Sequence, residues 1–435
     1  MISALTIGLF VLLVLLNVPV SAAIGAATIA GLVAGGYDLL SLPQHMAAAV
    51  KSIELMAIPF FILAAALMNS MQITERIFEF ANALVGSWRG GLAYSNVIAG
   101  MIFSGISGAA VADAAALGAI SMKEMPKAGY PAPFSAALVI AVSTLGPIIP
   151  PSIMMVVYAI TANVSIGRLF IAGVGPGIVI GGALMALIFT MVRMGWVAAP
   201  APTPFRWGAL GAITRRTFLA LLAPIVIIWG MLSGWTTPTE AGIMAIFYAL
   251  FTGAVYRTLT WKGVVESLEA TVEASALILY IIAVSSGLSY LFISEGSADQ
   301  LSQLMASLSA DKWSFLLIAN VLLLVLGFFI ETLPAMLIAV PLLMPTALNL
   351  GVDPVHFGVV VIFNLMIGIM HPPIGIGLFI LIAISKVPYG KLARAAIPFI
   401  VCLLLVLVLI TLVPTISMWL PDLLMPDPAA ALIRK

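Results

Sequence analysis

Two stretches of this chain combine small polar residues, glycine and proline in a way suited to stripping water from an ion and an acid. In the first, Ser104-Gly105-Ile106-Ser107-Gly108-Ala109-Ala110-Val111-Ala112-Asp113 offers the hydroxyls of Ser104 and Ser107 and carbonyls freed around Gly105 and Gly108. Asp113 opens the helix that follows, where the N-terminal dipole favours an anion. Its companion is Ser143-Thr144-Leu145-Gly146-Pro147-Ile148-Ile149-Pro150-Pro151-Ser152. Prolines there remove amide donors and leave upstream carbonyls without intrahelical partners. Sodium, a hard cation like calcium, asks for several oxygens and tolerates loose geometry. The second stretch repeats the pattern with Glu331 and Thr332, followed by Asn364, Gly368, His371, Pro372 and Pro373. The expectation is two cation sites with an anionic substrate between them.

Other roles compete for the same residues. Glycine and proline also serve as packing and kink residues in membrane helices, and Asp113 reads equally as a helix cap, a role compatible with ligand binding at a half-helix start. Glu331, amid Gly327-Phe328-Phe329-Ile330, costs a few kcal/mol unless it faces water or a partner. His371 is either a satisfied interior histidine or a site wall, while His45 and His356 read as loop residues and Glu240 as a cap for the helix after Pro238.

The elements that must position these residues lie in a membrane. The chain has 435 residues, 63% hydrophobic and 8% charged, with a mean hydropathy of +1.22, whereas soluble domains carry about 25% charged residues. At about 20 apolar residues per span there is room for roughly ten to a dozen helices. The fold class is therefore an all-α polytopic membrane protein in the lipid bilayer. With 18 Lys+Arg against 17 Asp+Glu, no basic face exists to neutralise a phosphate backbone, which excludes nucleic acid as a partner. Cys402 is the single cysteine, so disulfide, zinc-cluster and iron-sulfur chemistry have no ligands.

The N-terminus lacks a basic n-region and runs on past the length of a signal sequence, so it reads as a retained span. Arg193, Arg206, Arg215 and Arg216 crowd one connector without an acid, which the positive-inside rule assigns to the cytoplasm. Counting outward from there puts thirteen of the 18 bases inside and both termini in the periplasm. The only Pro-Pro pairs, at 150–151 and 372–373, stand 222 residues apart, and the same shift superposes Gly105 on Gly327, Gly129 on Gly351 and Gly146 on Gly368. Two repeats of inverted topology follow from this shift and from the opposite charge of the loops after each polar tip. The expected organisation is a first repeat over 1–192, a basic cytoplasmic connector over 193–217, a second repeat over 218–420 and a tail over 421–435. Each repeat holds a re-entrant hairpin (about 91–124 and 313–350) and a Pro-Pro-interrupted span (134–160 and 355–385). Thr203–Thr217 and Thr258–Thr271 mix bases, tryptophan and apolar residues as surface helices do.

Among function classes, Gly105-Ile106-Ser107-Gly108 matches the GxSG of intramembrane serine proteases, with His371 as a nominal base. Phe329 stands where the repeat would put the serine, so the match covers one half only. No GxxxxGK[ST] loop and no HExxH occurs, which removes nucleotide-driven pumping within this chain and zinc hydrolysis. Neither charged rings nor a repeated filter suggests a channel.

Nearly the whole chain resembles the large membrane subunit of tripartite ATP-independent periplasmic (TRAP) transporters. The likeness rests on the Ser104–Asp113 tip, on Thr144–Ser152, on Thr237-Pro238-Thr239-Glu240-Ala241 and on His371-Pro372-Pro373-Ile374-Gly375. It implies sodium-coupled secondary active uptake in the bacterial inner membrane by an elevator motion of a transport domain against a scaffold. It also implies two partners, a small four-helix membrane subunit and a soluble periplasmic binding protein that delivers a carboxylate such as a C4-dicarboxylate or a sialic acid. The start of the chain at a span suggests that the small subunit is unfused. By the same resemblance one sodium sits among Ser104, Gly105, Gly146, Ile149 and Pro151, and the other among Thr332, Gly368, His371 and Pro373. The expected substrate contacts are Ser107, Asp113, Thr144, Ser152, Glu331, Thr332 and Asn364. The alternative is a self-sufficient sodium/carboxylate symporter of the divalent-anion type, which needs no binding protein.

Overall fold

Long apolar runs broken by glycine and proline become helices wherever the backbone can satisfy itself and stop where it cannot. The computed structural model describes residues 2–16, 18–200, 204–205, 207–297, 300, 303, 311–372 and 375–426. Among the described residues there are nineteen α-helices, one short 3-10 turn at Ile53–Met56 and no strand. The first half contains α1 (Ile2–Leu15), α2 (Val20–Gly35), α3 (Ser41–Ala49), α4 (Ala57–Ser70), α5 (Ile73–Val85), α6 (Gly91–Ser107), α7 (Ala110–Lys127), α8 (Ala132–Ser143), α9 (Ile153–Ala162) and α10 (Ile166–Arg193). The second contains α11 (Trp207–Leu232), α12 (Pro238–Tyr256), α13 (Trp261–Ser294), α14 (Lys312–Phe329), α15 (Thr332–Asn349), α16 (Pro354–Gly368), α17 (Ile376–Ser385), α18 (Tyr389–Leu412) and α19 (Thr415–Leu424).

Seven of the described segments are long and apolar enough to cross a membrane. Others, such as α8 and α9, have 12 and 10 residues, about 18 and 15 Å, roughly half a hydrocarbon core. The breaks have local causes. Helix α6 ends because Gly108 turns left-handed (φ +61°), a conformation that costs an L side chain, and Ala109 is extended before α7 begins. Helix α8 ends ahead of Pro147, Pro150 and Pro151, and the Pro150-Pro151 peptide is cis. Ser152 then caps α9 by accepting a bond from Met155 N at 3.2 Å. In the second half Ile330 and Glu331 are extended between α14 and α15. Asp353 caps α16, its Oδ1 accepting from Val355 N (2.7 Å) and His356 N (3.1 Å). Shifted by the 222 residues between Pro150 and Pro372, the bounds of α6–α9 fall within three residues of those of α14–α17.

The two interrupted spans are the most enclosed parts of the molecule. Every residue from 134 to 148 and from 355 to 370 is buried, as expected of helices apolar on all sides. They are tied together at their ends: Tyr158 Oη, on α9, donates to Pro354 O at 2.6 Å.

Several expectations need correction. Thr203 and Arg206 lie outside the described residues; among those described no separate surface helix covers the end of the connector, and α11 runs unbroken from Trp207 to Leu232, so the boundary expected at 217/218 falls inside one helix, because nothing in Arg215-Arg216-Thr217 stops it. Likewise Thr258–Thr271 is the start of α13, which Thr260 caps (Gly263 N to Thr260 Oγ1, 3.1 Å), and the expected tail boundary at 420/421 lies within α19. His45 belongs to α3 and stacks on Tyr290 (4.2 Å between centroids). His356 is buried in the first turn of α16, with Nδ1 2.7 Å from Ser417 Oγ. Glu240 does cap α12, in a reciprocal box with Thr237.

Candidate ion and substrate site

The first polar tip is closed on itself and on the broken span. Asp113, in the first turn of α7, is wholly buried. Ser104 Oγ donates to its Oδ2 at 3.2 Å and Ser107 Oγ donates to its Oδ1. The Asp113 amide donates to Ala109 O at 3.0 Å. No Lys, Arg or His pairs with this carboxylate among the described residues.

Glycine lets the two elements meet. A methyl group at Gly108 would lie 2.6 Å from Pro151 O and 3.2 Å from Ile153 N, and Ile153 N donates to Gly108 O at 3.4 Å. At Gly146 the added carbon would sit 3.2 Å from Asp113 Cγ, and at Gly105 it would sit 3.4 Å from Pro150 O. Among the described residues the carbonyls of Gly146, Ile149 and Pro151 accept no hydrogen bond. The structure thus gathers Ser104, Gly105, Ser107, Asp113, Gly146, Ile149 and Pro151 around one break. Thr144 and Ser152 border it but spend their hydroxyl protons on backbone, Thr144 on Ala141 O and Ser152 on Pro147 O, both at 2.7 Å.

The second tip is open. Glu331 is exposed at a cavity of about 210 Å³ that Gly327, Phe328, Thr332, Gly368 and Gly375 also line. Its carboxylate makes no hydrogen bond among the described residues. Gly327 and Gly368 touch closely enough that a methyl group on Gly368 would lie 2.7 Å from Gly327 O. His371 stacks its ring on Phe328, a cavity-lining residue, at 4.0 Å, with Nδ1 2.5 Å from Pro372 O. Two expected ligand carbonyls already accept bonds, Gly368 O from His371 N (3.2 Å) and His371 O from Gly375 N (3.0 Å). Pro373 lies outside the described residues.

Asn364, one helical turn before Gly368, faces elsewhere. Its Nδ2 donates to Asn320 O (2.9 Å) and Oδ1 (2.7 Å), and Asn320 Nδ2 donates to Thr411 Oγ1 at 3.0 Å. This buried network joins α14, α16 and α18. Asn320 and Thr411 were not singled out from sequence, although an isolated amide in the apolar run of α14 is the signal that marks such a residue.

The profile of the DctM component of tripartite ATP-independent periplasmic transporters matches residues 7–416. The chain belongs to the DctM family. Among curated relatives of this DctM chain, it is 40% identical over 383 residues to a sialic acid TRAP transporter large permease of Vibrio cholerae, covering 87% of this chain and 89% of that one. A C4-dicarboxylate TRAP transporter large permease of Rhodobacter capsulatus is 36% identical, covering 97% and 99%. An isethionate TRAP transporter permease of Oleidesulfovibrio alaskensis is 34% identical over 95% of this chain and 65% of its own. Among solved structures, the YdaH transporter of Alcanivorax borkumensis, described as having an unusual topology, superposes with a TM-score of 0.62 at 16% identity over 88% and 90% of the two chains. That likeness concerns the fold. DctM-family members are transporters, so this chain is a multi-span membrane transport protein and not an enzyme.

Proposed function

We propose that this chain drives sodium-coupled uptake of a small organic acid across the bacterial inner membrane, with both termini on the periplasmic side. A soluble periplasmic protein delivers the acid, a small four-helix membrane subunit completes the complex, and the two tips move as an elevator against a scaffold. The reading that the halves are inverted repeats draws on the matching bounds of α6–α9 and α14–α17. Relatives named for sialic acid, C4-dicarboxylates and isethionate share a compact, oxygen-rich anion as cargo. For this chain we take the class to be carboxylates.

The observation that carries the reading is the buried Asp113 carboxylate, held by Ser104 and Ser107 and packed against Gly146, at a break where the carbonyls of Gly146, Ile149 and Pro151 accept no hydrogen bond among the described residues. A charge so far from water needs a counter-charge, and the groups around it are all oxygens suited to a hard monovalent cation. Among the described residues no cluster of three His, Cys, Asp or Glu suits a transition metal. Asp113 then belongs with the sodium rather than with the substrate, since it is wholly buried and both its oxygens are engaged by Ser104 and Ser107. In the second half, Thr332 and the tip backbone, with His371, are assigned the other ion, and Glu331 faces the cargo.

Uptake by vesicles reconstituted with both partners tests this. Transport should require sodium and the binding protein, and Ser104→Ala should raise the sodium concentration at half-maximal uptake. An unchanged sodium activation curve excludes the Ser104 assignment; full uptake without the binding protein favours a self-sufficient symporter.

A further inference from the structure

A second polar feature lies outside the transport site. The turn between α5 and α6 meets the last turn of α10 at a cavity of about 320 Å³ lined by Trp88, Arg89, Tyr94, Phe189, Val192 and Arg193. Both arginines are exposed, and neither forms an ion pair or hydrogen bond among the described residues. Arg193 also complements the negative end of α10. Arg89 stands on a different element, so the helix dipole does not account for the pair. Trp88, 51% exposed, sets its ring edge-to-face on Tyr94 at 5.5 Å, and exposed tryptophan near the end of a span is the residue type of the interfacial aromatic belt.

Below the arginines α10 presents a largely uncovered stripe. Ile178 and Phe189 are each 57% exposed, Gly182 between them has open space beyond its Cα, and Met185 is half-buried. These positions recur every three or four residues, one face of the helix, and lead directly to Arg193. From Ile178 to Arg193 the stripe is about 22 Å long, enough to follow an acyl chain through one leaflet of a core about 30 Å thick.

We infer that this groove binds an anionic phospholipid, its phosphate between Arg89 and Arg193 and one acyl chain along Ile178–Phe189. The charge calls for an anion, the stripe for hydrocarbon, and their continuity for both in one molecule. Each arginine at the membrane surface contributes about fivefold to retention of an anionic lipid, so the pair together gives about 25-fold.

Native mass spectrometry of the detergent-solubilised chain, alone and with its small membrane subunit, tests this using phosphatidylglycerol, phosphatidylethanolamine and glycerol 3-phosphate. The expected result is preferential retention of phosphatidylglycerol, about 25-fold weaker in Arg89→Gln/Arg193→Gln and largely kept in Arg89→Lys/Arg193→Lys. Unchanged retention in the Gln pair overturns the inference. So does displacement of the lipid by equimolar glycerol 3-phosphate, which marks a soluble-anion site, or its expulsion by the small subunit, which marks a protein interface. Should the Gln pair fail to fold, wild-type protein still decides. Raising salt from about 50 to about 500 mM must release phosphatidylglycerol selectively, and salt-independent retention refutes the assignment.

Discussion

Replacing Gly108 by alanine tests the coupling between the first tip and the broken span, because one methyl group acts on both. Gly108 sits at φ +61°, where a Cβ costs about 1–2 kcal/mol. That carbon would also lie 2.6 Å from Pro151 O, so the oxygen must retreat by about 0.8 Å to restore ordinary contact near 3.4 Å. Pro151 O is a proposed sodium ligand, and ligand distances hold to within about 0.2 Å. The displacement therefore removes one oxygen from the ion, and the Ile153 N to Gly108 O bond at 3.4 Å lengthens with it. Loss of at least ~1.4 kcal/mol of ion binding is expected, a tenfold rise in the sodium concentration at half-maximal uptake. The assay is paired: sodium activation of uptake, and the rise in Tm of purified protein on adding sodium. Gly211→Ala is the control, since that glycine lies in α11 with open space around it; it should raise stability by about 0.5–1 kcal/mol and leave sodium activation alone. A Gly108→Ala protein with a wild-type sodium curve refutes the proposed contact between Pro151 and the ion.

Three further outcomes follow from the geometry. Asp113→Asn should insert normally yet lose the sodium-induced rise in Tm, because the site's only charge is gone; a full sodium response would move the ion elsewhere. Glu331→Gln should impair uptake without altering membrane insertion, and undiminished transport would count against a role at the substrate. Thr237→Ala, which opens the box with Glu240, should lower stability by about 1 kcal/mol in thermal unfolding while the sodium curve stays put.

The all-helical membrane class was legible in composition, because so few charges leave no alternative solvent. The residues at the first tip were legible as types: hydroxyls, glycine and proline are costly at membrane depth without a purpose. Their pairing was not. That Ser104 and Ser107 both serve Asp113 depends on how far the chain turns at Gly108, and a sequence does not state a dihedral angle. Asn364 looked like a ligand because it is a polar residue on the second interrupted span, yet its amide is claimed by Asn320, 44 positions earlier. Long-range partners of this kind leave no local spacing to read. The surface helices expected at Thr203–Thr217 and Thr258–Thr271 failed for the opposite reason. Charge density suggested a boundary, whereas a helix ends only where backbone geometry or a missing donor ends it.

The unbroken run of α13 constrains any movement within this fold. Its 34 residues make a rod of about 51 Å, some 20 Å longer than the hydrocarbon it crosses. A rod without a hinge cannot stretch or fold to follow a neighbour displaced along the membrane normal. Under the proposed elevator motion, such travel would have to be absorbed as slip along its flanks, where α2, α3, α4 and α15 pack against it, with α13 serving as the mast.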